Sequence, residues 1–299
     1  MDLIAFVNFY LVPGIILGSI YALGAVGVSL LFGILRFAHF AHGDLMTFGA
    51  YATLSAVAAT GLSAFLALPI GLLATVVLAL FVNAVFYRPL RHLPTIVTVI
   101  SSFGIALTVR ATVQLVWGTD IQTYQKGIQK PLVLLDTFRI AERHIWIIVI
   151  TAGLIVLLHH FLARTKTGKA MRAVADDPAL ASVSGIDIDH VIRCVWVIGG
   201  GLAAVAGVFL GIDNQLHTNI GWDLLLPVFA AALLGGIGKP YGAIAGGYVI
   251  GVVQEVSTYP WIGAAPLIDP GYKSAIAFAI MVAMLIWRPQ GLTRGRLFT

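Results

Sequence analysis

Charged side chains are scarce in this sequence. Of 299 residues, 13 are Asp or Glu and 18 are Lys or Arg, together 10% of the chain, against about 25% in an ordinary soluble domain. So few charges cannot cover the surface of a water-soluble globule of this size. Because 59% of the residues are hydrophobic, most side chains need lipid as their solvent. The sequence therefore predicts a polytopic membrane protein.

The sequence also has a single cysteine and no nucleotide-binding motif. The one cysteine, Cys194, excludes an intrachain disulfide and a metal site built on several thiolates. The two Gly-Lys pairs, which end at Lys169 and Lys239, are followed by neither Ser nor Thr, so the chain has no phosphate-binding loop of the Gly-x-x-x-x-Gly-Lys-Ser/Thr type. We expect no cofactor on this chain, with any ATP and magnesium bound by partner subunits. The basic residues are scattered between apolar runs, which is typical of membrane topology and not of nucleic-acid binding.

The apolar residues fall into runs that suit helical crossings of about 20 residues. This pattern predicts an all-α fold, a single transmembrane domain over 1–299 in the form of a polytopic helical bundle with about 8–9 spans, some short or broken. The runs lie near 10–34, 44–60, 64–87, 95–117, 145–163, 191–212, 223–237, 242–258 and 273–288.

Basic residues lie mainly on one side if the chain crosses the bilayer at each run. Twelve Lys and Arg residues then fall on that side, five on the other and Arg110 within a span. Since positive residues favour the cytoplasm, we predict an external N-terminus and a cytoplasmic C-terminus. The segment 118–144 forms an outer loop, and 164–190 lies in the cytoplasm. A re-entrant segment within 223–258 would shift these assignments in pairs.

Two runs are interrupted by glycine and polar residues, at 33–51 and 233–248. Non-helical backbone at membrane depth is tolerated only where protein or a water-filled cavity satisfies it, so paired breaks indicate a transport pathway. For the second segment, a tight cytoplasmic turn set by its glycines and Pro240 is an equally simple explanation. Lys239 at the apex favours that turn.

The first interrupted segment carries His39, His42 and Asp44. These groups would cost several kcal/mol if left unsatisfied in hydrocarbon, so they must find partners or water. A role in a pathway or gate explains them, and helix capping or hydrogen bonding between helices explains them nearly as well. No metal site is expected, because the two histidines have no visible third ligand.

Arg110 is an isolated charge within the run 95–117. Such a side chain either reaches outward to the interface near Trp117 or pairs with an acid inside the bundle. Both interpretations stay open. Glu255 is the most obvious acidic partner in the sequence.

The polar stretch 163–193 is organised as a short helix, a turn and a second short helix. Asp177 followed by Pro178 predicts an N-cap and first turn, the helix runs from 179 to 184, and Gly185 predicts its end. A short amphipathic helix in the cytosol can dock into a groove on another protein. An ordinary solvated loop whose basic residues set topology explains the stretch equally well.

Five motifs follow one another over nearly the whole chain: FAHGDLMTFGAY (40–51), TGKAMRAVADDPALASVSGID (167–187), GGLAAVAGVFLG (200–211), LLGGIGKPYGAIAGG (233–247) and WRPQGL (287–292). In this order they resemble the permease subunits of high-affinity branched-chain amino acid ABC importers, a family that includes urea and amide permeases. The resemblance implies a permease of the bacterial inner membrane, not an enzyme, that imports branched-chain or other hydrophobic amino acids. Urea, short amides or another small organic solute is the alternative.

The resemblance also implies partners. These are ABC ATPase subunits, a second permease subunit in a heterodimer, and a periplasmic or extracellular solute-binding protein, in addition to membrane lipid. It places the loop 164–190 at the ATPase, through Gly168, Arg172, Ala173, Asp176, Asp177 and Gly185. The family commonly has Asn where this chain has His39, which implies an unusual ligand preference if that Asn lines the route.

An amino acid needs a route with apolar walls and polar groups for its carboxylate and ammonium. Helix N-termini exposed at glycine-rich breaks favour the carboxylate. We therefore predict that the substrate route passes His39, Phe40, His42, Gly43 and Asp44. Among other classes, a passive channel would be expected to show paired Asn-Pro-Ala signatures, which the sequence lacks. A transporter driven by an ion gradient would be expected to carry a relay of intramembrane acids, which the central spans do not offer.

Overall fold

The structure is a computed structural model that describes residues 3–124, 132–134, 138–261, 266, 268–288 and 290–293. Parts of the expected outer loop, including Lys126 and Lys130, and the basic C-terminal residues Arg294 and Arg296 lie outside them. The described chain is an all-α bundle. Its helices are α1 Val12–Leu35, α2 His42–Thr60, α3 Ala64–Val82, α4 Thr95–Trp117, α5 Glu142–Arg164, α6 Lys166–Asp176, α7 Pro178–Val183, α8 Ile188–Asp213, α9 Ile220–Gly235, α10 Pro240–Val256 and α11 Lys273–Trp287.

Short elements extend some of these helices. A turn of α-helix, Leu3–Phe6, and a π-helical turn, Val7–Leu11, precede α1, and the 3₁₀ turn Pro270–Tyr272 precedes α11. The π-helical turn Asn83–Tyr87 and the turn Arg88–Leu90 follow α3. In the segment 118–144, β1 Leu132–Leu134 pairs antiparallel with β2 Phe138–Ile140.

Nine of the described helices, α1–α5 and α8–α11, coincide with the nine predicted runs. Six helical segments in the described chain are long and apolar enough to cross a membrane: Ile4–Leu35, Ala64–Leu90, Thr95–Trp117, Glu142–Arg164, Ile188–Asp213 and Pro270–Trp287. The remaining three, α2, α9 and α10, are shorter or less apolar. The prediction of a bundle with short or broken helices is therefore confirmed.

The bundle has two chemically different ends. At one of them, here called the basic end, Arg88 lies 3.4 Å from Asp189 in the first turn of α8. Arg36 and Lys239 line one cavity of about 560 Å³ at the same end. The opposite end joins α4 to α2, where the Trp117 indole N–H donates to Ser55 Oγ at 2.6 Å. Arg36, Arg88 and Lys239 therefore lie at the same end of the bundle.

Glycines bring the central helices into close contact. α1 is almost wholly buried and packs along α10, where a Cβ on Gly18 would lie 2.9 Å from Cα of Tyr248 and one on Gly251 would lie 2.3 Å from the nitrogen of Gly18. Small residues at four-residue spacing allow this approach of two backbones. The same device joins α8 to α2, since a Cβ on Gly207 would lie 2.0 Å from the carbonyl oxygen of Met46.

Candidate functional site

The chain leaves helical conformation at 36–41, inside the first interrupted segment. α1 ends at Leu35 and is followed by Arg36, whose φ of 57° is left-handed, and α2 begins at His42. The His42 ring lies against the middle of α1, where a Cβ on Gly27 would approach its Nε2 to 2.9 Å. From Gly27, α1 continues to Leu35, about 12 Å further toward the basic end. The N-terminus of α2 therefore lies inside the bundle, not at its surface.

A second break, at 214–219, was missed in the sequence. α8 ends at Asp213 and α9 begins at Ile220. The start of α9 contacts the start of α2, because a Cβ on Gly221 would lie 1.8 Å from the carbonyl oxygen of Gly43. The Gly221 N–H also donates to Thr47 Oγ1 at 3.0 Å. Two helix N-termini thus meet within the bundle.

The interrupted segment 233–248 has a different structure. Gly236 and Gly238 have positive φ values of 102° and 79°, and Pro240 begins α10 directly afterwards. This tight turn lies at the basic end, where Lys239 and Gly238 line the cavity that also contains Arg36. Of the two explanations for this segment, the turn is the one that the structure shows.

An ion pair stands beside the two helix starts. Arg110 of α4 donates from Nε to Asp44 Oδ1 at 2.9 Å and from Nη2 to Asp44 Oδ2 at 3.1 Å. The Asp44 side chain is 0% exposed and that of Arg110 is 15% exposed. The predicted partner of Arg110, Glu255, is wrong, because the Glu255 carboxylate binds Nζ of Lys273 at 2.7 Å. Arg110 pairs inside the bundle and does not reach outward.

Aromatic rings continue from this ion pair across the same side of the bundle. The guanidinium carbon of Arg110 lies 4.8 Å from the centre of the Trp222 ring. Phe103 is 6.3 Å from Trp222 and stacks on Phe40 at 4.1 Å, and Phe40 in turn lies 5.4 Å from Phe229. We call Phe40, Phe103, Trp222 and Phe229 the aromatic shelf. Its Phe103 is 37% exposed, so the shelf has an open face.

The predicted route residues occupy different places. Phe40 is on the shelf, Asp44 holds Arg110, and Gly43 is the contact with α9. His39 is buried and packs edge-on against Trp196 at 4.9 Å, and His42 is buried against α1. Both imidazoles are thus buried among neighbouring helices, and their place on a route stays a prediction. The described residues contain no group of three His, Cys, Asp or Glu that could hold a metal ion.

Arg110, Trp222 and Phe103 were not identified as site residues from the sequence. A signal for the second break was nevertheless present. FAHGD (40–44) and NIGWD (219–223) each carry a glycine and then an aspartate in the first turn of a helix. An acid in the first turn stabilises a helix N-terminus. Comparing these two pentapeptides would have placed the second break correctly.

The loop 164–190, which we call the coupling loop after the role that the resemblance predicts for it, folds as predicted into two short helices. The Asp177 carboxylate accepts from the N–H groups of Ala179 and Leu180 at 2.9 and 3.0 Å and so caps α7. Gly185, with φ of 83°, follows the helix and ends it. The expected cap and stop are both confirmed.

The other residues assigned to the coupling loop differ in exposure. A Cβ on Gly168 would lie 2.4 Å from the carbonyl oxygen of Phe161, and Arg172 Nη1 donates to the Leu162 carbonyl at 2.6 Å, so both fix α6 to the end of α5. Ala173 is half-buried and Asp176 is exposed beside the basic-end cavity.

The most exposed apolar residues of the loop are two that the sequence analysis did not single out. Leu180 is 65% exposed and Val183 is 88% exposed, whereas Ala181 between them is buried. Their spacing of three residues places them on one face of α7. α7 therefore presents an apolar face to its surroundings at the basic end.

The sequence comparisons agree with one another. The model of the family described as "Branched-chain amino acid transport system / permease component" matches residues 10–285. The high-affinity branched-chain amino acid transport system permease protein BraD of Pseudomonas aeruginosa is 31% identical, over 94% of this chain and 94% of its own length. The permease protein LivH of Escherichia coli is 30% identical, over 93% of this chain and 92% of its own.

One solved structure has the same fold. It is PsaBC from Streptococcus pneumoniae in complex with Fab, with a TM-score of 0.52 and 14% sequence identity, covering 96% of this chain and 95% of that one. At this identity the likeness concerns the arrangement of helices alone. It supports an all-α polytopic fold over nearly the full length of the chain.

Proposed function

Because this chain belongs to the family of branched-chain amino acid transport system permease components, we propose that it is the translocation subunit of an ATP-driven importer for branched-chain or other hydrophobic amino acids in the bacterial inner membrane. It is a multi-pass membrane protein and an ABC-type permease. Its substrate, its orientation in the membrane and its partners are what we propose beyond family membership. The chain itself makes and breaks no covalent bond, and separate ATPase subunits bind ATP and magnesium.

The observation that carries the proposal is a continuous packing path from the coupling loop to the first break. α8 begins three residues after Gly185 and is capped by Asp187, which accepts from the His190 N–H at 3.0 Å. Further along, α8 packs on α2, where a Cβ on Gly49 would lie 2.7 Å from Cα of Ala204. Because backbones in such close contact cannot slide independently, a displacement of the coupling loop would move the helix that carries Asp44.

We place the basic end in the cytoplasm, since basic residues are retained there. The coupling loop would then meet the ATPase subunits through Leu180 and Val183, supported by Asp177 and Gly185 beneath them. A second permease subunit would complete the route as a heterodimer. The opposite end, with 118–144, would receive the solute from a periplasmic or extracellular binding protein.

The aromatic shelf favours a solute with an apolar side chain. Phe40, Phe103, Trp222 and Phe229 offer ring faces, which bury aliphatic groups well. The alternative substrate class, urea and short amides, has no aliphatic part to bury there. The departure of His39 from the family pattern does not bear on this choice, because His39 packs against Trp196 in the interior.

Reconstitution tests the proposal. The chain is incorporated into proteoliposomes with its second permease and ATPase subunits, and radiolabelled leucine uptake is measured with the binding protein outside and ATP at the ATPase side. We expect uptake that requires ATP, and none with ATPase subunits whose catalytic glutamate is replaced by glutamine. Uptake without ATP would indicate a channel, dependence on an ion gradient would indicate a secondary transporter, and ATP-driven uptake of urea or acetamide instead of leucine would refute the substrate.

A further inference from the structure

We infer that Arg110 binds the carboxylate of the transported solute while the aromatic shelf holds its apolar part. This inference rests on the proposed import function and adds a specific recognition site within the membrane. Arg110 lies 15 residues after the start of α4 and seven before its end, which places it about 22 Å and about 10 Å from the two ends of that helix. The site would therefore be encountered during translocation, not at either surface.

Arg110 is held in a fixed orientation with donors to spare. A guanidinium has five N–H groups, and the Asp44 carboxylate accepts two of them through Nε and Nη2. Three N–H groups then remain for another acceptor. Because Asp44 is fully buried and engages both oxygens, it positions the guanidinium without facing the open side itself. A second carboxylate can bind the remaining donors with charge-assisted hydrogen bonds.

The charges around Arg110 favour an anion. Arg110 and Asp44 cancel each other, while the N-termini of α2 and α9, which meet at Gly43 and Gly221, each contribute about half a positive charge. Asp223 in the first turn of α9 offsets part of this positive charge, but its side chain is 65% exposed and lies 3.9 Å from His217. A carboxylate at Arg110 would be stabilised by the guanidinium and by the two N-termini beside it.

The shelf adds a second kind of contact on the same side. Trp222 lies under the guanidinium, and Phe103 and Phe40 continue from it at centroid distances of 6.3 and 4.1 Å. Leu107 occupies the helix face between Phe103 and Arg110 and is 62% exposed. A solute with a carboxylate at one end and an aliphatic chain at the other would fit this order of charged and apolar groups.

The test measures binding to the permease itself. Complexes of both permease and ATPase subunits are placed in nanodiscs without binding protein or nucleotide, and radiolabelled leucine binding is measured by scintillation proximity. Unlabelled leucine and leucinamide serve as competitors, since the amide lacks the negative charge. For the wild type we expect saturable binding and at least about tenfold stronger competition by leucine than by leucinamide, the range of a charge-assisted hydrogen bond.

The informative variant is Arg110→Gln combined with Asp44→Asn, which removes both charges and leaves no buried ion unpaired. We expect unlabelled leucine and leucinamide to compete equally well for binding to this double variant, because only the carboxylate contact is lost. The matched control is Lys273→Gln, which breaks another partly buried cation–carboxylate pair, Lys273 with Glu255, and should keep the wild-type preference.

Three outcomes would overturn the inference: no saturable leucine binding by the wild type, equal competition by leucinamide, or an unchanged preference in the double variant. These results are distinct from failure of the proposed function. If ATP-driven leucine uptake proceeds while the preference does not depend on Arg110, the site is refuted and the import function stands. If the complete system takes up no leucine, the proposed function itself is refuted.

Discussion

Two segments that glycine and polar residues interrupt, 33–51 and 233–248, have opposite structures. In the first, the chain leaves helix at 36–41 and α2 begins within the bundle, next to the N-terminus of α9. In the second, Gly236 and Gly238 make a tight turn beside Lys239 at the basic end. The position of a break within the bundle or at its end, and not the presence of glycine, therefore decides which polar groups need protein partners. Asp44, which is buried inside the bundle, needs the Arg110 guanidinium as its partner.

Replacing Arg110 is expected to have the largest effect on stability. Arg110→Gln leaves the Asp44 carboxylate, which is 0% exposed, without its cation, and such a loss costs about 3–5 kcal/mol. Lys273→Gln should cost less than this, because its pair is more open, with Lys273 30% and Glu255 14% exposed. The two variants are compared by thermal unfolding in detergent, with tryptophan fluorescence as the readout. Equal shifts in Tm would contradict the contrast.

The contact between the two helix starts gives the next largest effect. In Gly221→Ala the new Cβ would lie 1.8 Å from the carbonyl oxygen of Gly43, so backbone must move, at a cost of about 1–3 kcal/mol or more. Gly104→Ala is the matched control, because a Cβ at Gly104 meets no atom within 4 Å. That variant should unfold at or slightly above the wild-type temperature, since Ala is the better helix former. A stable Gly221→Ala variant would refute the contact.

A smaller effect is expected at the basic-end turn. Gly238 has φ of 79° but room for a side chain, with Cα of Gly33 at 3.5 Å as the nearest atom to a Cβ. Gly238→Ala should therefore cost only the left-handed conformation, about 1–2 kcal/mol. Leucine uptake per folded molecule should be unchanged, because this turn is not part of the proposed route. Loss of uptake in a well-folded Gly238→Ala protein would remove the distinction between the two segments.

The smallest effect on stability is expected on α7, together with a large one on activity. Leu180→Asp alters a side chain that is 65% exposed, so unfolding should shift by less than about 0.5 kcal/mol. A charge on the apolar face should nevertheless weaken ATPase binding and abolish ATP-driven uptake. Leu62→Asp, at an exposed leucine on the opposite end, is the control and should leave both intact. Pull-down of the ATPase subunits measures the binding, and retention by Leu180→Asp would contradict the docking role.

Much of the fold follows from the sequence by simple physics. The nine apolar runs form helices because helical hydrogen bonds satisfy the backbone N–H and C=O groups that water cannot reach within the membrane. That basic residues of separate loops lie at one end of the bundle follows from the alternation of the crossings. α7 was predictable in detail, since Asp177, Pro178 and Gly185 act through local hydrogen bonds and backbone angles that need no distant partner.

The candidate site was less predictable because its contacts are distant in sequence. Arg110 pairs with Asp44 across 66 positions, and charge alone could not decide between Asp44 and Glu255. The polar stretch 214–219 looks like a surface loop, and only the contact of Gly221, just after it, with Gly43 and Thr47 shows that it reaches into the bundle. The histidines were assigned to a route by polarity, which stays a prediction. The sequence did not show that His39 packs against Tyr87 and Trp196 or that His42 lies against Gly27.

The most direct test concerns whether the aromatic shelf faces water during transport. In a Cys194→Ser background, Leu107→Cys beside the shelf is compared with Leu157→Cys on α5, since the two leucines are 62% and 63% exposed. Reaction with a membrane-impermeant thiol reagent is followed in the reconstituted importer with and without ATP. We predict that Leu107→Cys reacts at rates that change with ATP, while Leu157→Cys, which lies nearer the end of its helix but away from the proposed route, stays unreactive. If Leu107→Cys remains unreactive in every nucleotide state, the shelf faces lipid and the proposed route is wrong.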